Sequence, residues 1–167
     1  MGSSMYFTYY HSPFGKIVLT ANNDGLTSLE FIDGDKSTSI PAHYQQLKQE
    51  QTIFLDVCQQ LDQYFTKQRT NFDLKLAPQG TKFQQQVWQA LTTIKQGETK
   101  SYSWLAKTIN NEKAVRAVGS ANGANPIALI IPCHRVIGAN GKLTGYAGGL
   151  VLKAKLLAFE GAEFDCT

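Results

Sequence analysis

Pro78-Gln79-Gly80 is the best candidate domain boundary, and that break constrains the fold more than any other feature. Before it, short β-prone runs alternate with turn signals. After it, apolar residues recur mainly at helical spacing. Residues 6–11, 16–21 and 26–32 read as strands, with Pro13-Phe14-Gly15 and residues 22–25 as the turns between them, so a small antiparallel meander is expected. Residues 33–39 are polar and read as a loop. Phe54, Cys58, Leu61 and Phe65 fall on one helical face and predict an amphipathic helix over 51–67. Phe72, Leu74 and Leu76 alternate with polar residues, as in one more strand or an extended connection. Residues 5–77 thus form an N-terminal α/β domain. The opening Met1-Gly2-Ser3-Ser4 looks like an expression remnant and carries no fold information.

Beyond the break, residues 80–161 read as a second domain. Thr81 and Gln84 have the spacing of a capping box. Phe83, Val87, Leu91 and Ile94 make one face of the helix that follows, which Gly97 ends. Ser101 is placed to cap another helix, carrying Tyr102, Leu105 and Ile109 and stopping near Asn110-Asn111. A third helix is expected over 112–123. Two short helices joined by a tight turn predict a helix-turn-helix. Residues 127–131 are apolar and too few for a helix of their own, so they should be buried. A Gly-rich stretch over 138–149 leads to a last helix over 151–159, stopped by Gly161. The expected fold class is α+β followed by α: a small N-terminal antiparallel sheet plus helix, then a mainly helical C-terminal domain with a helix-turn-helix.

Composition narrows the function classes. With 43% hydrophobic and 17% charged residues in 167, the chain is of ordinary globular type. No run is apolar for long enough to span a bilayer, and no export signal is recognisable, so no membrane partner is expected. Three scattered cysteines, Cys58, Cys133 and Cys166, are too few for a disulfide framework, which points to a reducing cytoplasm. The histidines, His11, His43 and His134, form no zinc-spaced cluster with cysteine, so neither metal nor cofactor is expected. Formal charge is uneven: −2 over residues 1–79 and +5 over 80–167. The second half is the candidate surface for a polyanion, with an ordinary solvated surface as the alternative.

Three features carry possible chemistry. Cys133 follows Pro132 at the end of the buried apolar run, with His134 and Arg135 next. Neighbouring basic groups favour the reactive thiolate. On local sequence alone, a nucleophile and a buried structural thiol remain equally open, and a cysteine hydrolase is a further option. In the 112–122 helix, Ala114, Ala117 and Ala121 lie on one side, with Gly119 and Ser120 near them and Lys113 and Arg116 projecting. So small a face permits close backbone approach, either to DNA or to another helix. The glycines of 138–149 permit close approach of main chain to a ligand, or merely a flexible loop. Tyr146, within that stretch, is either a lid or a surface aromatic. Cys58, on the apolar face of the 51–67 helix, reads as a core residue.

Ile131-Pro132-Cys133-His134-Arg135-Val136 resembles the active-site signature of the O6-alkylguanine-DNA alkyltransferases. Residues 97–102 resemble the start of that family's helix-turn-helix and residues 114–121 its recognition helix. Asn125-Pro126, residues 145–150 and Glu160-Gly161 follow in the family's order. The resemblance is specific over 81–161, while residues 1–79 match only in outline.

The resemblance implies irreversible, single-turnover transfer of an alkyl group from O6-alkylguanine in double-stranded DNA, and from O4-alkylthymine, to Cys133. His134 would deprotonate the thiol through water, with Glu160 orienting His134. Asn125 would be the hinge between recognition helix and active-site turn. Arg116 would fill the gap left by the flipped nucleotide, and Tyr102 would help rotate the base and then bond guanine N3. The helix bearing Lys113, Ala114, Ala117, Gly119, Ser120 and Ala121 would enter the minor groove. Main-chain groups of Cys133, Val136 and Ala147 would read the base beside Tyr146 and Gly148, and Ala147 lacks the hydroxyl of some members. Structural zinc, found in some members' N-terminal domains, is not expected here, because no cysteine precedes Cys58. A monomer is expected.

Other readings make different demands. A lesion-binding relative lacks the cysteine. A transcription factor needs polar side chains on its recognition helix to read base edges. A cysteine hydrolase would turn over without DNA.

Overall fold

The computed structural model describes residues 4–32 and 40–165, so the expectations for residues 1–3 and for a loop at 33–39 lie outside the described residues. The chain forms two compact units that meet in sequence between Gln79 and Gly80.

In the first unit, β1 (Tyr6–Ser12), β2 (Gly15–Asn22) and β3 (Gly25–Ile32) make the antiparallel meander. The register runs from Ser12 opposite Gly15 to Tyr6 opposite Ala21, so the first turn is tight. The second turn is held by Asn22 Oδ1, which accepts from the backbone N–H groups of Asp24 (2.8 Å) and Gly25 (3.1 Å). Gly25 has φ +147°, and a Cβ there would collide with the Lys75 carbonyl, so glycine is required. That crowding arises because residues 75–77 run along β3: Leu26 N–H donates to Lys75 O (3.0 Å) and Ala77 N–H to Leu26 O (2.7 Å). The 72–76 segment is therefore an extended connection with a single bridge at Leu76, not a full strand. A short β4 (Gln45–Gln46) pairs parallel to β1, giving the order β3-β2-β1-β4. The helix α1 (Thr52–Phe65) buries Phe54, Val57, Cys58, Leu61 and Tyr64, so the predicted face is covered at Phe54, Cys58 and Leu61, while Phe65 is only half-buried.

The second unit begins with α2 (Lys82–Leu91). Thr81 Oγ1 accepts from Gln84 N–H (3.1 Å) while Gln84 Oε1 accepts from Thr81 N–H (2.9 Å), a complete capping box. This helix stops three residues before Ile94, which stays buried in the turn that follows. After a two-residue β5 (Lys100–Ser101), α3 (Tyr102–Thr108) starts under a Ser101 cap, whose hydroxyl accepts from Trp104 N–H at 3.1 Å. The helix α4 (Val115–Gly123) begins later than residue 112: Glu112 and Lys113 lie in a turn and Ala114 is the N-cap. Trp88 Nε1 donates to Ala121 O (2.8 Å) and ties α2 to α4. Residues 127–131 are packed inside as turns, with Leu129 at φ +71°. A 3₁₀ turn (Cys133–Arg135), β6 (Val136–Ile137) parallel to β5, and α5 (Leu150–Phe159) complete the unit. Val87, Leu91, Leu105, Val118, Ile127, Leu156 and Leu157 are fully buried and form its core. Among the described residues no helix is long and apolar enough to cross a membrane.

Candidate active site

The site is built on a turn that the backbone cannot hold alone. Asn125, two residues beyond α4, donates from Nδ2 to Ile131 O (2.7 Å) and Ile127 O (3.4 Å) and accepts at Oδ1 from Ile127 N–H (3.0 Å). One side chain thus satisfies three buried backbone groups and ties the end of α4 to the residues before the cysteine. Pro132 then turns the chain, and Cys133 N–H donates back to Ile131 O at 2.8 Å. Cys133 is 6% exposed. Burial pushes its thiol above the ordinary range, while the Asn125 side chain and the charge of Lys153 pull it down.

His134 is fully buried, with Nε2 3.0 Å from Glu160 Oε1. Arg135 clamps the same carboxylate: Nε donates to Oε1 (2.9 Å) and Nη2 to Oε2 (2.8 Å), and Nη1 donates to Ile94 O (2.7 Å). The donors win over burial at Glu160. Desolvation pushes its carboxyl up, but Arg135 and then His134 bring it down to about 2. An ionised Glu160 can only accept, so the proton between it and the imidazole sits on His134 Nε2. His134 Nδ1 is then a lone-pair nitrogen, and it is buried without a hydrogen-bond partner. Burial keeps the imidazole pKa below its usual value despite Glu160. The ring is neutral at pH 7 and ready to take a proton.

The opposite wall comes from α3 and the Gly-rich segment. Tyr102, at the first position of α3, shares a 2.6 Å hydrogen bond with Thr144 Oγ1. Tyr146 places a buried hydroxyl near the thiol with no hydrogen-bond partner. Ala147 and Gly148 are exposed beside it. A Cβ on Gly148 would press on Leu152 and the Tyr146 ring, so the residue is small to leave Tyr146 in place. Val136, the residue after the 3₁₀ turn, pairs with Lys100 through β5–β6, which joins the turn to the start of α3.

On α4 and the turn before it, Lys113, Arg116, Ala117 and Ser120 are exposed, with Ala114 and Gly119 half-buried. Ala121 departs from the sequence reading. It is 3% exposed and lies with Val118 and Asn122 on the inward side of α4, so its side chain is no part of an outer contact face. Alanine size does not reveal which side of a helix is covered.

Sequence reasoning missed three contributors. The sequence marks Arg135 only as a neighbour of the cysteine, yet it holds Glu160 ionised. Thr144 went unmarked. So did Lys153, fully buried on α5, whose Nζ donates to Val136 O (2.6 Å) and Thr144 O (2.9 Å). A signal for Lys153 existed: it falls on the same helical face as Leu156, Leu157 and Glu160, where an unpaired lysine has no place in an ordinary core.

A small α/β unit is followed by a helical unit that carries a buried thiol next in sequence to a carboxylate-backed imidazole, the parts of a protein that acts through a cysteine. Two domain models match in tandem: the ribonuclease-like domain of 6-O-methylguanine DNA methyltransferase over residues 5–78, and the DNA-binding domain of the same protein over 82–162. A methylated-DNA–protein-cysteine methyltransferase of Methanosarcina acetivorans is 49% identical over 158 residues, covering 95% of this chain and 99% of the relative. Among solved structures, the O6-methylguanine methyltransferase of Mycobacterium tuberculosis superposes with a TM-score of 0.84 at 44% identity, over 94% of this chain and 93% of that one. The M. tuberculosis OGT solved in complex with DNA gives 0.84 at 44% identity, over 93% and 92%. The chain belongs to the 6-O-methylguanine DNA methyltransferase family.

Proposed function

We propose that this protein repairs DNA by taking the alkyl group of O6-alkylguanine onto Cys133 Sγ, irreversibly and once per molecule. The observation that carries the reading is that one 3₁₀ turn holds a buried thiol and, next to it in sequence, a neutral imidazole with a free Nδ1 and a carboxylate fixed on its other nitrogen. The names of the relatives, and the DNA in one relative's structure, agree with it.

In the proposed reaction, the thiol proton moves through a water to His134 Nδ1, and Glu160 balances the imidazolium that forms. The Sγ lone pair attacks the alkyl carbon, the carbon–oxygen bond breaks toward O6, and guanine leaves as an anion that takes up a proton. Tyr102, whose hydroxyl can accept from Thr144 while donating to guanine N3, offsets the charge on the leaving base. The thioether is not opened by water or thiols, so the protein is consumed. O4-alkylthymine presents the same alkyl–oxygen bond and is assigned as a second substrate.

The target atom lies inside the duplex, so the base must be turned out. We assign α3 and α4 as a helix-turn-helix pair whose α4 lies in the minor groove. Its exposed Ala117 and Ser120, with Gly119, are small enough for a narrow groove, and Lys113 meets a phosphate. Arg116 occupies the place of the flipped nucleotide. The base would rest between Tyr102 and the segment carrying Tyr146, Ala147 and Gly148, read by main-chain groups of Cys133, Val136 and Ala147. Lys153 uses one lone pair of the Val136 carbonyl and leaves the other for the guanine amine. The domain limits 5–77 and 80–161, a monomeric state and a cytoplasmic location complete the reading; the last fits the free thiols Cys58 and Cys133.

Incubation with duplex DNA carrying O6-methylguanine should raise the intact mass by one methylene, on the Cys133 peptide. Absence of an adduct, or repair of more than one lesion per protein, sinks the proposal. Arg116→Ala should slow repair of duplex DNA by about tenfold or more, the scale of a lost contact of ~1.4 kcal/mol, and leave reaction with the free base O6-benzylguanine nearly unchanged. Equal losses on both substrates would refute the finger role.

A further inference from the structure

Lys153 moves no proton in the steps above, yet it is fully buried within the same site. Its position is two helical turns before Glu160 on one face of α5, so the two residues bracket the 3₁₀ turn that carries Cys133. Its hydrogen-bond partners are the carbonyls of Val136 and Thr144, and among the described residues no carboxylate pairs with it. Burying an ammonium against neutral carbonyls is costly, and a core lysine used only for packing would be better replaced by leucine or methionine.

The charges around the thiol explain what the ammonium is for. Packed there are His134 and Arg135 from the cysteine's own turn, Lys153 and Glu160 from α5, and Tyr146 from the Gly-rich segment. Glu160 is taken by Arg135, His134 is neutral, and Tyr146 keeps its proton. With Glu160 shared by Arg135 and His134, Lys153 is the positive charge that has no anionic partner until the thiolate forms. The coupling is mutual: Lys153 pulls the thiol pKa down, and burial lowers the lysine pKa to about 8 even though the cysteine raises it. At pH 7 the ammonium is still charged.

We infer that Lys153 is a positioning residue of the alkyl-transfer site: its buried ammonium is the counter-charge for the Cys133 thiolate. The same ammonium fastens the active-site turn, at Val136, to Thr144, which in turn holds the Tyr102 hydroxyl. Lys153 therefore acts on the nucleophile by charge and on the tyrosine wall by geometry. This inference rests on the reading of Cys133 as the alkyl acceptor, but its test does not need DNA.

The test is the rate at which iodoacetamide modifies Cys133 as a function of pH, followed by peptide mass in the full chain. Lys153→Gln keeps a donor for the carbonyls and removes the charge, while Lys153→Arg keeps both. In Lys153→Gln the inflection of the Cys133 profile should rise by about one pH unit, with modification at pH 7 about tenfold slower. In Lys153→Arg it should return toward the wild-type position. Lys153→Met supplies a second neutral variant should the glutamine protein fail to fold, with thermal unfolding as the check. A profile unmoved in a folded neutral variant overturns the inference. Methyl transfer from DNA by that same variant at the wild-type rate would overturn it as well. A wild-type protein that takes no methyl group from DNA, yet shows the Lys153 shift, would sink the repair reading alone.

Discussion

Glu160→Gln should lower stability by about 3 kcal/mol or more and slow single-turnover repair on the order of 100-fold. The change is nearly isosteric, so the loss is one of charge. Arg135 would keep a buried guanidinium whose Nε and Nη2 have lost their ionic partner, and breaking a buried pair from one side is among the more damaging single changes. The carboxyl pKa gives a similar figure independently: about 2 in the folded protein against an ordinary 4.5 is worth about 3 kcal/mol at neutral pH. Because the folded pKa is the lower one, this stability is present above pH ~4.5 and is lost as the pH falls through about 2. His134 acts in the same direction at higher pH. Its folded pKa is also depressed, so its contribution fades as the pH falls below about 6.5. Acid unfolding of the wild-type protein should show both, and the Glu160→Gln protein should lack the lower step. Thermal unfolding should move down by roughly 10 °C. A variant with an unchanged melting temperature would show that the Arg135–Glu160 clamp is not what holds the turn.

The fold was legible wherever local pattern decides structure. Apolar spacing of 3 and 4 placed α1, and alternation with two turn signals placed β1 to β3. The capping residues Thr81 and Ser101 put the starts of α2 and α3 correctly. Pairings between distant segments left no local trace: β4 is only Gln45-Gln46, and β5–β6 joins residues far apart in sequence over two positions each. The start of α4 lies later than the sequence predicts: Glu112 and Lys113 are good helix formers, but the chain is still turning there. In the site, the chemistry-bearing residues could be named from motif, but not what holds them. Arg135 on Glu160 and Lys153 on two carbonyls are tertiary facts, and both break the rule that charged residues face water. Ala121 shows the converse limit. Its small side chain suits a DNA face and a packed interior equally, and only the Trp88 hydrogen bond and the buried Val118 beside it show which one it serves.

Cys133→Ala should abolish alkyl transfer completely while leaving fold and lesion binding in place. The turn does not depend on the sulfur. Asn125 holds Ile127 and Ile131 through backbone groups, and the Glu160 clamp acts on His134 and Arg135. Replacing one small, buried side chain with a slightly smaller one should cost only about 1 kcal/mol. Cys58 cannot take over. It lies on the buried face of α1, where burial and the nearby Asp62 and Glu50 push its thiol up to about 12, so the reactive thiolate is scarcely populated at pH 7. In the proposed reading the contacts to DNA fall on α4 and the turn before it, so affinity for a lesion duplex should stay within about threefold of wild type, a difference below ~0.7 kcal/mol. The variant would then behave as a lesion binder, and a lesion duplex should leave its mass unchanged. That pairing of retained binding with no adduct separates an acceptor from a hydrolase or a transcription factor. A hydrolase would lose turnover on unrelated substrates, and a transcription factor would be indifferent to the lesion. An adduct on any other residue of Cys133→Ala, or loss of lesion binding in a protein that still folds, would show that the thiol is not the sole acceptor or that it takes part in recognition.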